Sequence, residues 1–341
     1  MRHLLNTLYI STQGAYVNKD GDTLRVQIEG ETKLRVPVHT LGGVVCFGAV
    51  TVSGFAMGLC AENGVAVSFL TEYGKFLARV MGPASGNVLL RREQYRRADE
   101  DASSAELARA IVAAKVANCR TVLLRALRDR PDAPGNQALA DAGDALQGVL
   151  RRLAVLQPLD SVRGIEGDAA RTYFGVFQQL ATVEGFPFEG RNRRPPRDNM
   201  NALLSFLYTL LVHDCRGACE THGLDPAVGF LHRDRPGRPG LALDLMEELR
   251  PILADRLALA LINRRQVQPQ GFTHTEGGGV SMDDKTRKTV LVAYQERKQE
   301  TMRHPFTGDT LSWGLLPHIQ AQLLARHLRG DLDEYPAYFW R

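Results

Sequence analysis

Gly82-Pro83-Ala84-Ser85-Gly86 divides this chain into two kinds of pattern, because neither a strand nor a helix passes easily through such a run. Before it, Thr23-Leu24-Arg25-Val26-Gln27-Ile28 alternates polar and apolar residues, and so does Lys33-Leu34-Arg35-Val36. A period of two turns one face of each strand inward. Asp20-Gly21 and Glu29-Gly30 mark turns between strands. Val65 to Leu70 and Phe76 to Val80 supply two later strands, and Ser53 to Glu62 reads as a short helix. After the divide, Leu107, Ile111, Ala114, Val122 and Leu123 recur at helical spacing in a run to Arg128. Ser103-Ser104-Ala105-Glu106 opens that run in the manner of a capping box. Further helices are expected near 138–157, 165–182, 199–222, 241–264 and 313–329. The expected fold class is α+β, with a small N-terminal β domain over 1–84 and a larger all-α domain over 85–341.

The chain's 341 residues hold ample material for a buried core. A formal charge of +4 permits nucleic-acid binding without arguing for it, so local clusters matter more than the total. Five cysteines, Cys46, Cys60, Cys119, Cys215 and Cys219, without framework spacing fit reduced thiols in a cytoplasmic protein. Met1 to Thr12 lacks the apolar core and cleavage site of a signal peptide. Val44 to Cys60 is interrupted by Gly48, Thr51, Ser53, Gly54 and Gly58, and falls short of the roughly 20 residues a membrane span needs. Neither a G-x-x-x-x-G-K-[ST] phosphate loop nor a G-x-S-x-G elbow is present, and Gly277-Gly278-Gly279 reads as a flexible loop.

Three ionisable residues stand in apolar settings. Glu166 shares a helical stripe with Ala169, Ala170 and Tyr173, where a carboxylate is costly to bury unless its charge is compensated. Two readings stay open: a metal ligand, or a first-turn glutamate favoured by the helix dipole. Asp244 and Glu247 lie one helical turn apart and share a face, with Glu248 also within reach of Asp244; they converge on one ion or line a solvated acidic face. His232 precedes the loop Arg233-Asp234-Arg235-Pro236-Gly237-Arg238-Pro239-Gly240, which returns the chain to that helix. Two carboxylates and one imidazole suit magnesium or manganese better than structural zinc. His213, Cys215, Cys219 and His222 resemble a zinc quartet only superficially, since His213 leaves the face the other three share; buried cysteines are the default. Arg191, Arg193, Arg194 and Arg197 form the densest basic cluster, followed by Arg233, Arg235 and Arg238. Either is a phosphate-binding surface or a solvated basic loop, and the position beside His232 favours the second cluster.

An ordered set of segments resembles the CRISPR-associated adaptation endonucleases, the integrases that insert new spacers into CRISPR arrays. It includes Leu8-Tyr9-Ile10, Val36-Pro37-Val38, Val44-Val45-Cys46-Phe47-Gly48 and Gly64-Val65-Ala66-Val67 at the front. In the helical part it includes Gly164-Ile165-Glu166-Gly167, Arg193-Arg194-Pro195-Pro196, Asn201-Ala202-Leu203-Leu204-Ser205-Phe206, Gly229-Phe230-Leu231-His232 and Asp244-Leu245-Met246-Glu247-Glu248. The resemblance covers essentially the whole chain. It implies an N-terminal β domain, an α-helical catalytic domain and a homodimer, two such dimers flanking a dimer of a small second adaptation protein. It also implies that Glu166, His232 and Glu247 are the ligands of a Mg2+ or Mn2+ ion, with Asp244 as a helper. The implied activity is a metal-dependent DNA endonuclease and integrase, in which a spacer's 3′-hydroxyl attacks a phosphodiester at the edge of a repeat. A non-catalytic DNA-binding scaffold and a metal-dependent repair nuclease are the alternatives. The tail from Asp333, with Tyr335, Tyr338, Phe339 and Trp340, suggests docking on some surface.

Overall fold

The structure is a computed structural model that describes residues 6–72, 76–80, 82, 88–275 and 277–340. Apart from Gly82, the expected divide Gly82-Pro83-Ala84-Ser85-Gly86 lies outside the described residues. Backbone proximity separates two compact units: Met1–Gly86 with Leu291–Glu300 and Ser312–Leu315, and Asn87–Val290 with Thr301–Leu311 and Leu316–Arg341. The architecture is mixed, with strands at the N-terminal end and helices thereafter.

The N-terminal strands are β1 (Asn6–Ile10), β2 (Tyr16–Asp20), β3 (Thr23–Ile28), β4 (Glu31–Pro37), β5 (Leu41–Phe47), β6 (Thr51–Val52), β7 (Ala66–Leu70) and β8 (Phe76–Val80), with helix α1 (Gly54–Glu62) before β7. They form two four-stranded sheets, β4-β3-β2-β6 and β1-β5-β7-β8. The hairpin turn at Glu29-Gly30 has both residues at positive φ, 51° and 82°, the geometry that matches the twist of two-residue hairpins. Parallel pairing of β1 with β5 and of β5 with β7 explains why Val44 to Phe47 reads as an unbroken apolar run. Ser53 caps α1 by accepting from the Ala56 N–H at 3.2 Å. Val17, Leu24, Val44, Cys46, Ala56, Cys60 and Val67 form the shared core of these elements.

The helical unit is built on α2 (Val88–Asp99), α3 (Asp101–Asp129), α4 (Asn136–Leu153), α5 (Leu159–Gly175), α6 (Asn199–Thr221), α7 (Gly240–Arg250) and α8 (Arg256–Asn263), followed by the first turns of α9 (Asp284–Gln299), whose residues from Leu291 on belong to the N-terminal unit, and by α10 (Leu316–Leu328). It is not all-α. The short strands β9 (Phe272–His274) and β10 (Val280–Met282) pair, as do β11 (Thr301–Arg303) and β12 (Thr310–Ser312). The capping box at Ser103 is not formed either. Helix α3 starts at Asp101 with Glu100 as its cap residue, and the Ser103 hydroxyl donates to Glu100 Oε2 at 2.7 Å. The single helix expected over 241–264 is interrupted by a π turn, Pro251–Asp255, where Pro251 has no N–H to give the α-ladder. Cys215 and Cys219 are wholly buried on α6. Among the described residues, no helix is long and apolar enough to cross a membrane.

Helix α7 is buried along nearly its whole length, Leu243 excepted. The aromatic tail helps to enclose it. The Glu248 carboxylate accepts from the Tyr335 hydroxyl, from the Tyr338 N–H and from Gln320 Nε2 at 3.2 Å. Asn118 on α3 donates to the carbonyls of Glu248 at 2.7 Å and Tyr338 at 2.9 Å, and its own oxygen accepts from the Trp340 N–H. The guanidinium groups of Arg125 and Arg256 stack on the Trp340 ring, 3.8 and 4.3 Å from its centroid.

Burial pushes the Glu248 carboxyl up to about 7 although three donors pull the other way. The folded protein therefore holds this proton more tightly than the unfolded chain does, where the value is about 4.3. The stability this provides is complete below pH 4 and is lost as pH rises through 7. In urea titrations from pH 4.5 to 9, wild type should lose about 3 kcal/mol relative to Glu248→Gln. A difference that does not vary with pH would contradict the assignment.

Candidate metal centre

Helix α5 begins at Leu159 rather than near residue 165, with Pro158 as its cap residue. Glu166 therefore sits two turns inside the helix, beyond the reach of the N-terminal dipole, and the first-turn reading is removed. Its stripe is buried as expected, with Ala169 and Tyr173 in the core, yet a quarter of the Glu166 side chain stays exposed. Glu247 comes from α7 and is almost fully buried.

The two carboxylates meet at one cation. Lys115 of α3, its side chain only 3% exposed, places Nζ against Glu166 Oε1 and 2.6 Å from Glu247 Oε2. Arg250, one turn along α7, adds contacts of 3.1 and 3.3 Å to the two Glu247 oxygens. Burial raises the Glu247 carboxyl, but Arg250 and Lys115 together outweigh it and hold the group well below the usual carboxylate range. Glu247 is thus an anion at any working pH.

His232 completes the group, with Nε2 4.0 Å from Glu247 Oε1. Its other ring nitrogen, Nδ1, is 2.6 Å from Asp244 Oδ1, and the same oxygen accepts from the His232 N–H at 3.1 Å. Asp244 Oδ2 accepts from the N–H groups of Phe230 at 2.6 Å and Leu231 at 3.0 Å. With four contacts and no exposure, Asp244 faces the loop rather than the cation. A carboxylate at Nδ1 keeps the proton on that nitrogen and leaves the Nε2 lone pair for a metal. Both Asp244 oxygens are thus occupied by residues 230–232, and its contact with the ring sets the orientation of His232.

Two glycines allow this approach. A Cβ on Gly229 would meet Asp244 Oδ2 and the Gly240 carbonyl carbon, each at 2.7 Å, and one on Gly240 would meet the Ala227 oxygen at 2.6 Å. Arg163, one turn before Glu166, donates to the Leu231 carbonyl at 2.7 Å and ties the histidine loop to α5.

The donor set fits a hard divalent cation in kind: two anionic oxygens already gathered round a positive charge, and an imidazole nitrogen beside one of those carboxylates. Their spacing is wider than ligation requires, since among the described residues no three such side chains stand close enough to hold an ion. Lys115 fills the place between the carboxylates.

Other expected residues fare differently. Arg191 is committed internally, donating to the Asn192 carbonyl, Asn201 Oδ1 and Ser205 Oγ, with its guanidinium 4.9 Å from the Tyr208 ring centroid. It holds the loop before α6 and is withdrawn from the phosphate-binding set. Arg193 and Arg194 are exposed, as are Arg233 and Arg235, while Arg238 is half-buried. Arg233 pairs with Asp160 at 2.7 Å, on the rim of an open cleft of about 660 Å³ that Arg163 also lines. Lys115, Arg250 and Asn118 went unread in the sequence. For Lys115 the signal was present: a lone cation on the apolar stripe of Ile111, Ala114 and Val122.

Comparison with known proteins follows the same lines. A family model described as CRISPR-associated protein Cas1 matches residues 8–296. The CRISPR-associated endonuclease Cas1 1 of Chlorobaculum tepidum is 52% identical over 343 residues, covering all of both chains. Among solved structures, a casposase bound to its integration product superposes with a TM-score of 0.85 at 22% identity, over 98% of this chain and 94% of that one. A Cas6-RT-Cas1–Cas2 complex superposes with a TM-score of 0.81 at 23% identity, over 98% of this chain and 36% of that one.

Asp244→Asn should weaken Mn2+ binding by roughly 10- to 100-fold, because the amide no longer fixes the imidazole tautomer. Calorimetric titration gives the affinity, and 15N NMR of His232 shows whether its Nδ1 proton has become mobile. An unchanged affinity would make Asp244 a loop anchor only.

Proposed function

The chain belongs to the CRISPR-associated protein Cas1 family, and we propose that it is the endonuclease and integrase that inserts short DNA duplexes into CRISPR arrays, with a divalent metal held by Glu166, His232 and Glu247. The observation that carries the site is the convergence of two carboxylates on a buried cation, with a carboxylate-oriented imidazole beside one of them. A scaffold that only binds DNA has no need of that arrangement.

The reaction proposed is a transesterification. The spacer's 3′-hydroxyl oxygen forms a bond to phosphorus at the repeat edge, the bond from phosphorus to the leaving 3′-oxygen breaks, and the proton of the attacking hydroxyl passes to solvent or to the leaving oxygen. Bond energy is conserved, so neither a nucleotide cofactor nor a protein nucleophile is needed. When bound, Mg2+ or Mn2+ supplies positive charge at the phosphoryl oxygen and at the attacking or leaving oxygen. Glu247 enters already ionised, Glu166 reaches the surface from mid-helix, and Asp244 keeps the His232 Nε2 lone pair turned toward Glu247. Arg250 remains as the fixed counter-charge that lets Glu247 be buried. With water in place of the hydroxyl, the same groups serve simple nicking.

The reading extends to partners and organisation. DNA is the substrate, and a small Cas2-type protein is the companion, working with a homodimer of this chain in an assembly of two dimers about one Cas2 dimer. The N-terminal strands form one domain to about residue 84 and the helices the catalytic one. Arg193, Arg194, Arg233, Arg235 and Arg238 are the residues assigned to phosphate contact. The exposure of the first four and the cleft beside Arg233 support that role.

Incubation of a short duplex with a repeat-bearing plasmid, with and without the Cas2 partner and with Mn2+, Mg2+ or chelator, tests the activity. Strand joining should require metal, and His232→Ala and Glu247→Gln should each reduce it at least about a thousandfold. Full joining by either folded variant would remove that residue from the site. Neutralising Arg233, Arg235 and Arg238 together should lower the slope of log affinity against log salt by about 2 to 3. An unchanged slope would return the loop to a solvated surface.

A further inference from the structure

Lys115 poses a problem of charge. Its ammonium lies where the carboxylates of Glu166 and Glu247 meet, which is the place a divalent cation has to enter. Two cations do not share that space, so metal binding must either expel the ammonium or be opposed by it. An expelled ammonium on a buried side chain needs another anion within reach.

The structure contains one. Behind Lys115 is a small enclosed cavity of about 10 Å³, near the size of a single water, lined by Lys115, Cys119, Ala169, Tyr173, Arg250 and Asp255. Asp255 ends the π turn after α7, a segment packed against α3, and is 1% exposed. Its Oδ1 accepts from the Tyr208 hydroxyl, and its buried Oδ2 faces only the Tyr173 hydroxyl, a neutral donor set too loosely to make a close hydrogen bond. Burial lifts its carboxyl above the ordinary value against the combined pull of Arg250, Arg191 and the Tyr208 and Tyr173 hydroxyls, so the site has room for a further positive charge. A wide turn that delivers a fully buried carboxylate to a cavity lined by Lys115 is otherwise a cost to the fold.

Building on the metal-site reading above, we propose that Lys115 is a resident counter-ion with two positions: its ammonium neutralises Glu166 and Glu247 until the metal arrives, and then withdraws into the cavity toward Asp255 Oδ2. Lys115 is therefore a positioning residue. It keeps two carboxylates together in the metal-free protein and sets the affinity of the site, without touching substrate. Lys115 and Asp255 line the same cavity, so the exchange is a side-chain movement within it.

Calorimetric titration of the full chain with Mn2+ tests this, with folding of each variant checked by circular dichroism and thermal melting. Lys115→Met should bind Mn2+ at least about tenfold more tightly than wild type, melt earlier in chelator, and show a larger upward shift in Tm on adding Mn2+. Asp255→Asn should bind about tenfold more weakly, but should have no effect in the Lys115→Met background, because the anion acts through the lysine. Should Lys115→Met fail to fold, Lys115→Arg keeps the charge in a group too large for the cavity, and should bind Mn2+ about tenfold more weakly. Equal or weaker binding by folded Lys115→Met, wild-type affinity in Lys115→Arg, or an Asp255→Asn effect that persists without Lys115 would overturn the proposal. Wild type that binds no Mn2+, or binds it undiminished in His232→Ala, would overturn the metal site itself; the two failures are separable.

Discussion

The ammonium of Lys115, held between Glu166 and Glu247, is the contact on which the helical unit's chemistry depends, because it joins three helices that share no local sequence. Helix α3 brings the cation, α5 one carboxylate and α7 the other. Remove the cation and two anions face each other in a setting with little water, where repulsion is far stronger than at a surface. Arg250 shields one side of Glu247 but reaches it from the same helix, so it cannot draw α5 and α7 together. The positions of His232 and Asp244 follow from that gathering, since Arg163 on α5 and the first turn of α7 both hold their loop.

Much of the fold was legible because its signals are local. Alternation located β3 and β4, apolar spacing located α3, and β8, α4 and α6 were also expected, with several ends misplaced by a few residues. Helices α2 and α9 were missed because most of their residues are charged or polar, leaving too few apolar positions to show a period. The strands β9 to β12 span three residues each, too short for alternation to register. The larger part was therefore wrongly expected to be all-α.

The site divides along the same line. Glu166, His232 and Glu247 were recognisable through the segments they occupy, and the structure draws them to one place. What those segments do not carry is the partner that each needs. The ammonium on Glu166 comes from a residue 51 positions away, and Asp255 gains its role only through a cavity formed by α3, α5 and the π turn. Glu248 and Asp244 share with Glu247 a single turn of acidic sequence, and only tertiary packing assigns them to three separate tasks. One accepts the tail, one orients the imidazole and one faces the cation.

The tail's grip on Glu248 has a consequence for the order in which the protein is made. The donors that satisfy this carboxylate, Tyr335 and Tyr338, are synthesised 87 and 90 residues after it. Until they leave the ribosome, α7 carries a buried-to-be anion with no partners, and Asn118 lacks the carbonyl and N–H that fix α3 against it. A nascent chain therefore carries Glu166, His232 and Glu247 before the segment that packs against α7 has been made. The segment 335–340 thus fastens α7 to α3 from a place in the sequence remote from both, and the packing of those two helices is a late event in the making of the chain.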